Sequence, residues 1–525
     1  VPKKIPDTYT ATFQLRPKTN DRAEVILASF AELMNRVERT LFADISTGKS
    51  AAECKSAYIK EHKITARQFN SIRVQLEGKI SSLKEAQKER VKTLKGQISA
   101  LEAFLKKRKK KNTPFVTHQK KRRLSSLKGR LKRIENDISL GKARLCFGSK
   151  KLFRSQFDLS ANGYTFHEGW KEEWKDSREK SFFLIGSKDE ISGNQSVTAL
   201  LQEDGDISLR IRLPDALGEY GKYLVIDNLH FAYGHEHIVA ALTNKESPVA
   251  ICYRFVQDKK GWRIFATLPI QKPSKVTRSG IGAIGVDINA DHLAVVETDR
   301  SGNPIQHTRL ELNTYGTSQG QAKALIGDTV KKLVDWSVKT QKPLVIEELS
   351  FRQKKCELRE IGNPRYSRML SSFAYNGISQ FIKSRSARCG VDCNEVNPAY
   401  TSVIGRAKFS KRYGISIHES AALCIGRRYL GVSERLPRHI AHIADGKGGH
   451  VALTLPVRNR ARHVWTSWRQ VQKRLPAALV AHFRAAKKRS SSQSNLACCD
   501  TEKVLDFVGG TPIRESTAEL LGCRI

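Results

Sequence analysis

The spacing of hydrophobic and polar residues changes along the chain, and each change predicts a different kind of element. Residues 8–16 alternate between the two types, which predicts a strand. In residues 22–50 apolar residues recur at the helical period. The predicted helix has an apolar face made of Val25, Ile26, Phe30, Leu33 and Met34. A further helix begins near residue 66. The first part of the chain is therefore predicted to be one strand followed by helices.

The clearest periodicity lies in residues 80–105 and 124–138, where apolar residues recur at alternating steps of three and four. We predict an antiparallel helical hairpin whose connection is strongly basic. Its basic residues are Lys106, Lys107, Arg108, Lys109, Lys110 and Lys111 in the connection, and Lys120, Lys121, Arg122 and Arg123 beyond it. The hairpin either grips a nucleic-acid backbone or is a solvated coiled coil with a basic turn. Like charges this dense repel unless they are neutralised, which favours binding to a nucleic-acid backbone. Such contacts would give affinity but no recognition of sequence.

Residues 146–275 have the pattern of strands. The candidate strands are 196–201, 207–213, 223–226, 250–255 and 262–268, and Lys259-Lys260-Gly261 joins the last two as a hairpin. Arg210 and Arg212 share one face of their strand, opposite Leu209 and Ile211. We predict a small antiparallel barrel or sandwich, which on its residues alone is an ordinary β domain with a basic exposed face.

Two later apolar strands end on carboxylates. Asp287 has apolar neighbours on both sides, and Glu347 follows Leu-Val-Ile at 344–346. A buried carboxylate is costly unless it is paired or bound to a cation, although Asp287 alone also fits the start of a turn. Two carboxylates at neighbouring strand ends favour Mg²⁺, and two such ions about 4 Å apart hold the attacking and leaving oxygens of a phosphodiester. Glu348 is expected to be a neighbour rather than a ligand, because its side chain points to the opposite face.

Four short motifs then follow in order along the sequence. They are Gly-Val-Asp-Ile-Asn at 285–289, Val-Ile-Glu-Glu-Leu at 345–349, Asn-Pro-Ala-Tyr-Thr-Ser at 397–402 and Ile-His-Glu-Ser-Ala-Ala at 417–422. Together they resemble the RuvC-like nuclease domain of the TnpB proteins, which IS200/IS605-type insertion sequences encode and which are related to the Cas12 CRISPR effectors. The resemblance covers roughly residues 276–431, and upstream it is only architectural.

The resemblance implies a multidomain α+β protein with an RNase H-like, mixed α/β nuclease core around Asp287 and Glu347. It also implies a helical recognition lobe and a wedge-type antiparallel β-barrel that holds a guide RNA scaffold. The strand at 8–16 would belong to the same barrel. One RuvC-like site would then cut DNA with Mg²⁺, using Asp287, Glu347 and a third ligand from the last motif.

Two departures from the family concern that third ligand and zinc. The family usually has Arg-Asp-x-Asn-Ala-Ala, and here His418 stands where the Asp is expected. His418 would be a ligand that suits Mn²⁺ better than Mg²⁺, a general base for the attacking water, or a residue with no catalytic part. Glu419, the next residue, is the alternative carboxylate for the third ligand. The family's four-cysteine zinc ribbon is also missing, because residues 403–416 contain no cysteine, so zinc is not expected.

Composition points to a polyanionic partner. Lys and Arg number 92 against 52 Asp and Glu, a net charge of +40 that would repel itself without nucleic acid. A membrane surface is the alternative, but no apolar run is long enough to span a bilayer and the first residues lack a signal-peptide pattern. We therefore expect a cytoplasmic, nucleoid-associated protein whose 10 scattered cysteines are reduced thiols.

These observations predict five regions: the first strand or strands of the barrel at 1–21, the helical recognition lobe at 22–145, the β-barrel at 146–275, the RuvC-like domain at 276–431, and a basic, partly disordered region at 432–525. The expected function is RNA-guided DNA cleavage, with a guide RNA and double-stranded target DNA as partners and a monomer or a dimer on the RNA. The first alternative is the same guided DNA binder with an impaired site, acting as a repressor or recruiter. The second is a DNA-binding transposition accessory that uses no RNA.

Overall fold

The computed structural model describes residues 8–107, 113–244, 246, 248–348, 375–437, 440–445, 449–459 and 461–493. The chain divides into two compact units, Val1–Leu94 with Ser125–Gln271 and Lys95–Leu124 with Lys272–Ile525. Both units combine helices with sheets, so the multidomain, mixed α and β character predicted from the sequence is confirmed. Among the helices of the described residues, none is both long enough and apolar enough to cross a membrane.

Helices dominate the early part of the chain. They are α1 (Asp21–Ser46), α2 (Ala51–His62), α3 (Ala66–Lys107), α4 (Pro114–Ser139), α5 (Lys150–Ser155), α6 (His167–Glu179) and α7 (His235–Thr243). Most of the apolar face predicted for α1 is buried, whereas Val25 is exposed. The Phe30 ring of α1 stacks on Phe182, with 4.6 Å between the ring centroids. This contact fixes α1 against the sheet that contains Phe182.

The strands of the first unit are β1 (Thr8–Leu15), β2 (Ser181–Leu184), β3 (Val197–Leu201), β4 (Ile207–Arg212), β5 (Tyr223–Leu229), β6 (Cys252–Asp258) and β7 (Gly261–Gln271). They form two antiparallel sheets, in the orders β1-β7-β6-β2 and β3-β4-β5. The pairing of β1 with β7 confirms that the first strand joins the later β region. The strand pairings of the described residues do not close either sheet into a barrel, so the antiparallel sheets are confirmed and the closed barrel is not.

The predicted hairpin corresponds to α3 and α4, which cover the two stretches of heptad spacing. Lys120 Nζ on α4 lies 5.8 Å from the centroid of the Phe104 ring on α3. The two helices therefore meet near their connection, as an antiparallel hairpin requires. Of the connection itself, Arg108, Lys109, Lys110 and Lys111 lie outside the described residues.

The central sheet of the second unit contains β8 (Ile284–Ile288), β9 (His292–Thr298), β10 (Pro304–Glu311), β11 (Leu344–Glu347) and β12 (Cys393–Val396). Its order is β10-β9-β8-β11-β12, with β9 antiparallel to both β10 and β8, and β11 parallel to both β8 and β12. A separate hairpin is formed by β13 (Ile440–Ala444) and β14 (His450–Thr454). The helices of this unit are α8 (Gln319–Thr340), α9 (Tyr375–Arg388), α10 (Thr401–Lys408), α11 (Ser410–Tyr413), α12 (Ile417–Tyr429) and α13 (Val464–Gln493).

Both faces of this sheet are covered, which explains the continuous apolar runs of β8 and β9. Alternate residues of β9 belong to two different apolar clusters. Leu293 and Val295 pack in the cluster that includes the apolar face of α8, and Ala294 and Val296 pack in the cluster that includes Ala422 of α12. A strand buried on both faces has no polar side to alternate with, so every residue of β8 and β9 is buried.

Apolar residues recur at helical spacing over residues 365–385, which predicts a helix, and the described residues contain its second part as α9. Its predicted apolar residues Ile378 and Phe381 pack against the cluster that includes β8 and α8. Met369, Leu370 and Phe373 lie outside the described residues.

Candidate active site

Asp287 and Glu347 lie side by side at one edge of the central sheet. Asp287 is the next-to-last residue of β8, and Glu347 is the last residue of β11. These strands run parallel with Val345 opposite Gly285, so two residues further along each strand Glu347 comes beside Asp287. Both are almost inaccessible, at 0% and 2% exposure. The structure thus brings together the two carboxylates that the sequence singled out.

Two buried carboxylates on neighbouring strands repel each other unless a cation or a proton compensates them. Carboxylate oxygens are hard ligands of the kind that Mg²⁺ and Mn²⁺ prefer. The donor set of Asp287 and Glu347 therefore fits a divalent cation, and these two residues would hold it. When bound, such a cation would lower the pKa of a coordinated water and stabilise the charge that develops on a phosphodiester.

Helix α12 brings the third predicted residue to this edge by packing directly on β8. A Cβ atom placed on Gly285 would lie 2.0 Å from the carbonyl oxygen of Ala422 and 2.7 Å from the backbone nitrogen of Gly426. The helix also lies against α10, because a Cβ on Gly405 would come within 2.5 Å of the Ser420 carbonyl oxygen. Glycine at positions 285 and 405 therefore allows the backbones to approach closely and sets the position of α12.

His418, in the first turn of α12, contacts Asp287. Its Nδ1 lies 3.1 Å from Asp287 Oδ2, a distance at which the ring N–H donates to the carboxylate. The His418 side chain keeps 18% of its surface exposed, whereas the Asp287 side chain has none. His418 is therefore the member of this pair that can be reached from solvent. The direct contact makes the two residues a hydrogen-bonded pair.

Asn289 and His292 support Asp287 from the turn after β8. Asn289 Nδ2 donates to Asp287 Oδ2 at 3.2 Å and approaches His292 Nε2 at 3.3 Å. His292 Nδ1 contacts Asp291 Oδ1 at 2.7 Å, so a neutral ring that donates to Asp291 and accepts from Asn289 satisfies both contacts. Burial lowers the pKa of His292, although Asp291 opposes this shift, so the ring is neutral near pH 7. This chain of contacts fixes the orientation of the Asp287 carboxylate.

The carboxylate of Asp291 is itself held in place by two partners. Partial burial alone would raise the pKa of Asp291, but the hydrogen bond from His292 and the charge of Arg309 hold it below its usual range. Arg309 donates to Asp291 Oδ2 at 2.9 Å. Asp291 therefore stays ionised and keeps its hydrogen bond to His292.

Thr401 supports Glu347 in a comparable way. Its hydroxyl donates to Glu347 Oε1 at 2.7 Å, and both residues are buried. Thr401 is the first residue of α10 and belongs to the Asn-Pro-Ala-Tyr-Thr-Ser motif. This motif thereby touches the site through one hydroxyl group.

Glu419 is not brought to Asp287. Ser416 caps the N-terminus of α12, and Glu419 Oε2 accepts from the Ser416 backbone N–H at 2.9 Å in a capping box. Its Oε1 lies 2.8 Å from His307 Nδ1. Burial opposes ionisation, but the contacts with His307 and Ser416 hold the pKa of Glu419 below its usual range. Both oxygens of this carboxylate are therefore engaged at the helix end.

The predicted nucleic-acid-binding residues occupy two other regions. On the hairpin, Lys106, Lys121 and Arg122 are exposed, Lys120 and Arg123 are partly exposed, and the Lys107 side chain lies outside the described set. On β4, Arg210 is exposed and lies 5.0 Å from the centre of the Tyr223 ring. Arg212 donates to the Lys222 carbonyl oxygen at 3.3 Å and pairs with Asp215, so much of its donor capacity is used within the protein.

Three residues around the site were not assigned roles from the sequence: Asn289, His292 and Thr401. Asn289 and His292 lie in the turn directly after Asp287, so polar residues in that turn were the available signal. Thr401 lies in a motif that the sequence did single out, but its contact with Glu347 joins positions 54 residues apart. Only the fold shows which residue of that motif reaches the carboxylate.

Comparison with known proteins gives likenesses of structure alone. No family model matches the chain, and no curated protein matches it. A Cas12f1–sgRNA–target DNA complex is similar at 13% identity and a TM-score of 0.34, with 80% of this chain and 99% of that one covered. The RuvC of T. thermophilus in complex with a Holliday junction is similar at 11% identity and a TM-score of 0.21, over 29% of this chain and 94% of that one. A Cas12i1 R-loop complex is similar at 10% identity and a TM-score of 0.26, over 61% of this chain and 53% of that one. All three TM-scores are low, so no property of these proteins is transferred to this chain.

Proposed function

We propose that the protein is an RNA-guided, metal-dependent DNA endonuclease of the TnpB and Cas12 type, with a single RuvC-like site. The observation that carries the proposal is the pair of buried carboxylates, Asp287 and Glu347, at the ends of adjacent parallel strands. The strand order β10-β9-β8-β11-β12, with three antiparallel strands followed by two parallel ones, is the order expected of an RNase H-like core. In this proposal the site hydrolyses DNA phosphodiesters by two-metal catalysis with Mg²⁺ or Mn²⁺.

The protein's own residues prepare the site for this chemistry. Asn289 and Thr401 each donate a hydrogen bond to one carboxylate, so neither carboxylate has to reorient when substrate arrives. His418, partly exposed and 3.1 Å from Asp287, is placed to act as a ligand or to take a proton from the attacking water. Its hydrogen bond to Asp287 orients the ring in either role.

Guide RNA and double-stranded DNA are the proposed partners. The excess of 40 positive charges favours polyanions. The exposed cations of the hairpin and Arg210 beside Tyr223 are residue types that contact phosphates and bases. In this scheme base pairing with the guide reads the target, and the protein reads a short flanking motif and the shape of the duplex.

A matched pair of substitutions tests the nuclease. Glu347→Gln removes a buried carboxylate of the site, and Glu395→Gln removes an exposed one from the adjacent strand β12, where it pairs with Lys383. Both proteins are purified with RNA from the native locus and assayed for plasmid cleavage in Mg²⁺ and in Mn²⁺. We expect Glu347→Gln to lose at least about 100-fold in rate and Glu395→Gln to stay close to the wild type. Equal activity of the two variants would contradict the proposed site.

One observation favours a second candidate, a guided DNA binder whose nuclease is impaired. The third position is His418, and the adjacent carboxylate of Glu419 is engaged in the helix cap. A neutral nitrogen ligand suits Mg²⁺ poorly. If this candidate is right, the wild type binds target DNA only with its RNA and does not cut it in either metal, and His418→Asp gains Mg²⁺-dependent cleavage. Cleavage by the wild type that is lost in Asp287→Ala supports the nuclease instead.

A further inference from the structure

Two histidines and an aspartate come together in the first unit, outside the predicted nuclease site. Asp206 ends the turn between β3 and β4, His230 follows β5, and His235 is the first residue of α7. One possible ligand atom from each residue lies within 4.8 Å of the other two. Among the residues that the structure describes, this is the one group of three His, Cys, Asp or Glu side chains whose ligand atoms lie this close together.

The two imidazoles lie face to face beside the carboxylate. The rings of His230 and His235 are stacked, with 4.3 Å between centroids and 22° between planes. His230 Nδ1 lies 3.0 Å from Asp206 Oδ1. His235 Nε2 lies 2.9 Å from the carbonyl oxygen of Gly205, the residue before Asp206. Two ring nitrogens, a carboxylate oxygen and a carbonyl oxygen are therefore grouped at one place.

The backbone holds these groups in position. The turn before β4 is closed by backbone hydrogen bonds from Gln202 to Asp206 at 2.8 Å and from Gly205 to Gln202 at 3.0 Å. Gly205 has a φ of +88°, a conformation that glycine adopts without strain. Gly234 precedes His235 with a φ of +73°, and a Cβ there would lie 2.1 Å from the Phe13 ring. Both connections thus have little freedom to separate the donor groups.

The ligand types of the three residues fit a transition metal. Metal ligation requires a neutral imidazole, and two imidazoles with one carboxylate suit zinc and its neighbours better than Mg²⁺. In the metal-free site the Phe231 backbone N–H donates to His235 Nδ1 at 3.3 Å, so the ring proton lies on Nε2.

We propose that Asp206, His230 and His235 form a binding site for a divalent transition metal of the zinc class. His230 Nδ1, Asp206 Oδ1 and His235 Nε2 supply the protein ligands. On binding, both rings change tautomer: the proton that His230 Nδ1 donates to Asp206 moves to His230 Nε2, and the proton that His235 Nε2 donates to Gly205 moves to His235 Nδ1, where it ends the contact with the Phe231 N–H. The metal would join the β3–β4 turn to the start of α7. The earlier expectation of no zinc rested on cysteines, and this site uses none.

The test uses the full-length protein, freed of any histidine tag and stripped with EDTA. ZnCl₂ is added at about pH 7.5, where ordinary imidazoles are mostly neutral. For each protein the melting temperature with Zn²⁺ is compared with that without it, and MgCl₂ serves as a second comparison. His230→Ala and Asp206→Asn remove ligands. His237→Ala removes another histidine of α7, which is 44% exposed and lies outside the cluster.

We expect Zn²⁺, but not Mg²⁺, to raise the melting temperature of the wild type and of His237→Ala by a few degrees. We expect the rise to be at least halved in His230→Ala and Asp206→Asn. Co²⁺ provides an independent readout. The visible absorption bands of bound Co²⁺ should be those of a site with nitrogen and oxygen ligands, and they should disappear in His230→Ala. A Zn²⁺ effect that is equal in all four proteins, or its absence from the wild type, would overturn the proposal.

Discussion

Gly285→Ala tests how strictly the position of α12 defines the candidate site. The new Cβ would lie 2.0 Å from the Ala422 carbonyl oxygen, whereas ordinary contacts begin at 3.4 Å, so strand and helix must separate by about 1.4 Å. Both colliding groups are backbone atoms, which cannot change rotamer to make room. Overpacking costs about 1–3 kcal/mol even where side chains can adjust, so we expect at least about 3 kcal/mol here.

The same displacement acts on the chemistry. His418 lies in the first turn of α12, and its 3.1 Å contact with Asp287 would be lost after a shift of this size. A misplacement of about 1 Å in an active site can cost about 100-fold in rate. We therefore expect Gly285→Ala to lose about 100-fold in plasmid cleavage. Because about 1 kcal/mol corresponds to about 2–4 °C in a unit of this size, its melting temperature should fall by about 6 °C or more.

Two other glycines give a graded control. A Cβ on Gly426 would lie 3.4 Å from the Gly285 nitrogen, which is an ordinary contact, and a Cβ on Gly327 of α8 would meet nothing within 4 Å. Gly426→Ala should be nearly neutral. Gly327→Ala should gain up to about 1 kcal/mol from helix propensity and keep full activity. Wild-type stability and cleavage in Gly285→Ala, or an equal loss in Gly426→Ala, would refute the reasoning.

Two further predictions concern charge. Glu419→Gln keeps the helix cap but loses the negative charge, whose contribution to stability is present above the ordinary pKa of 4.5 and is lost as the pH falls through the lower folded-state pKa. In melting curves from pH 7 downward, the variant should be less stable than the wild type by under about 1 kcal/mol at neutral pH, and the two stabilities should converge in acid. The cleavage rate of the variant should stay within a few-fold of the wild-type rate. A loss of rate as large as that caused by replacing a site carboxylate would show that Glu419 is a ligand. Replacing Lys120 and Lys121 by Ala should reduce the slope of log affinity against log salt by about 1.4–1.8 in nucleic-acid binding titrations. Lys331 and Lys332, exposed on α8, provide the control pair, and an equal change in both pairs would show that the hairpin has no special role.

The position of the two carboxylates could be predicted from the sequence because it depends on local pattern. A buried strand is a continuous apolar run, and the polar residue that ends it marks the edge of the sheet. Asp287 and Glu347 both follow such runs, and parallel pairing then brings them together. The capping box of Ser416 and Glu419 was also readable, since Ser-x-x-Glu before an apolar helix is its signature. Glu419 was expected as an alternative ligand, whereas its carboxylate accepts a hydrogen bond from the Ser416 backbone in the cap.

The other features of the structure could not be predicted, because they depend on contacts between residues that are distant in sequence. The approach of α12 to Gly285 is decided by which backbones meet, and an isolated glycine in a strand does not identify its neighbour. The group of Asp206, His230 and His235 combines residues from two connections that no local pattern relates. The barrel expected from the resemblance also depends on long-range pairing, and the described strands of the first unit pair as two antiparallel sheets.

The candidate site has a consequence for synthesis of the protein on the ribosome. Asp287 and His418 are 131 residues apart in sequence, and β11 must be inserted beside β8 between them. At a translation rate of about 5–20 residues per second, roughly 7–26 s pass between the synthesis of the two residues. A nascent or prematurely terminated chain that lacks α12 therefore has the first carboxylate without its histidine. In the proposed nuclease, the site would therefore be completed only after α12 has been synthesised, when β8 and β11 are already able to pair.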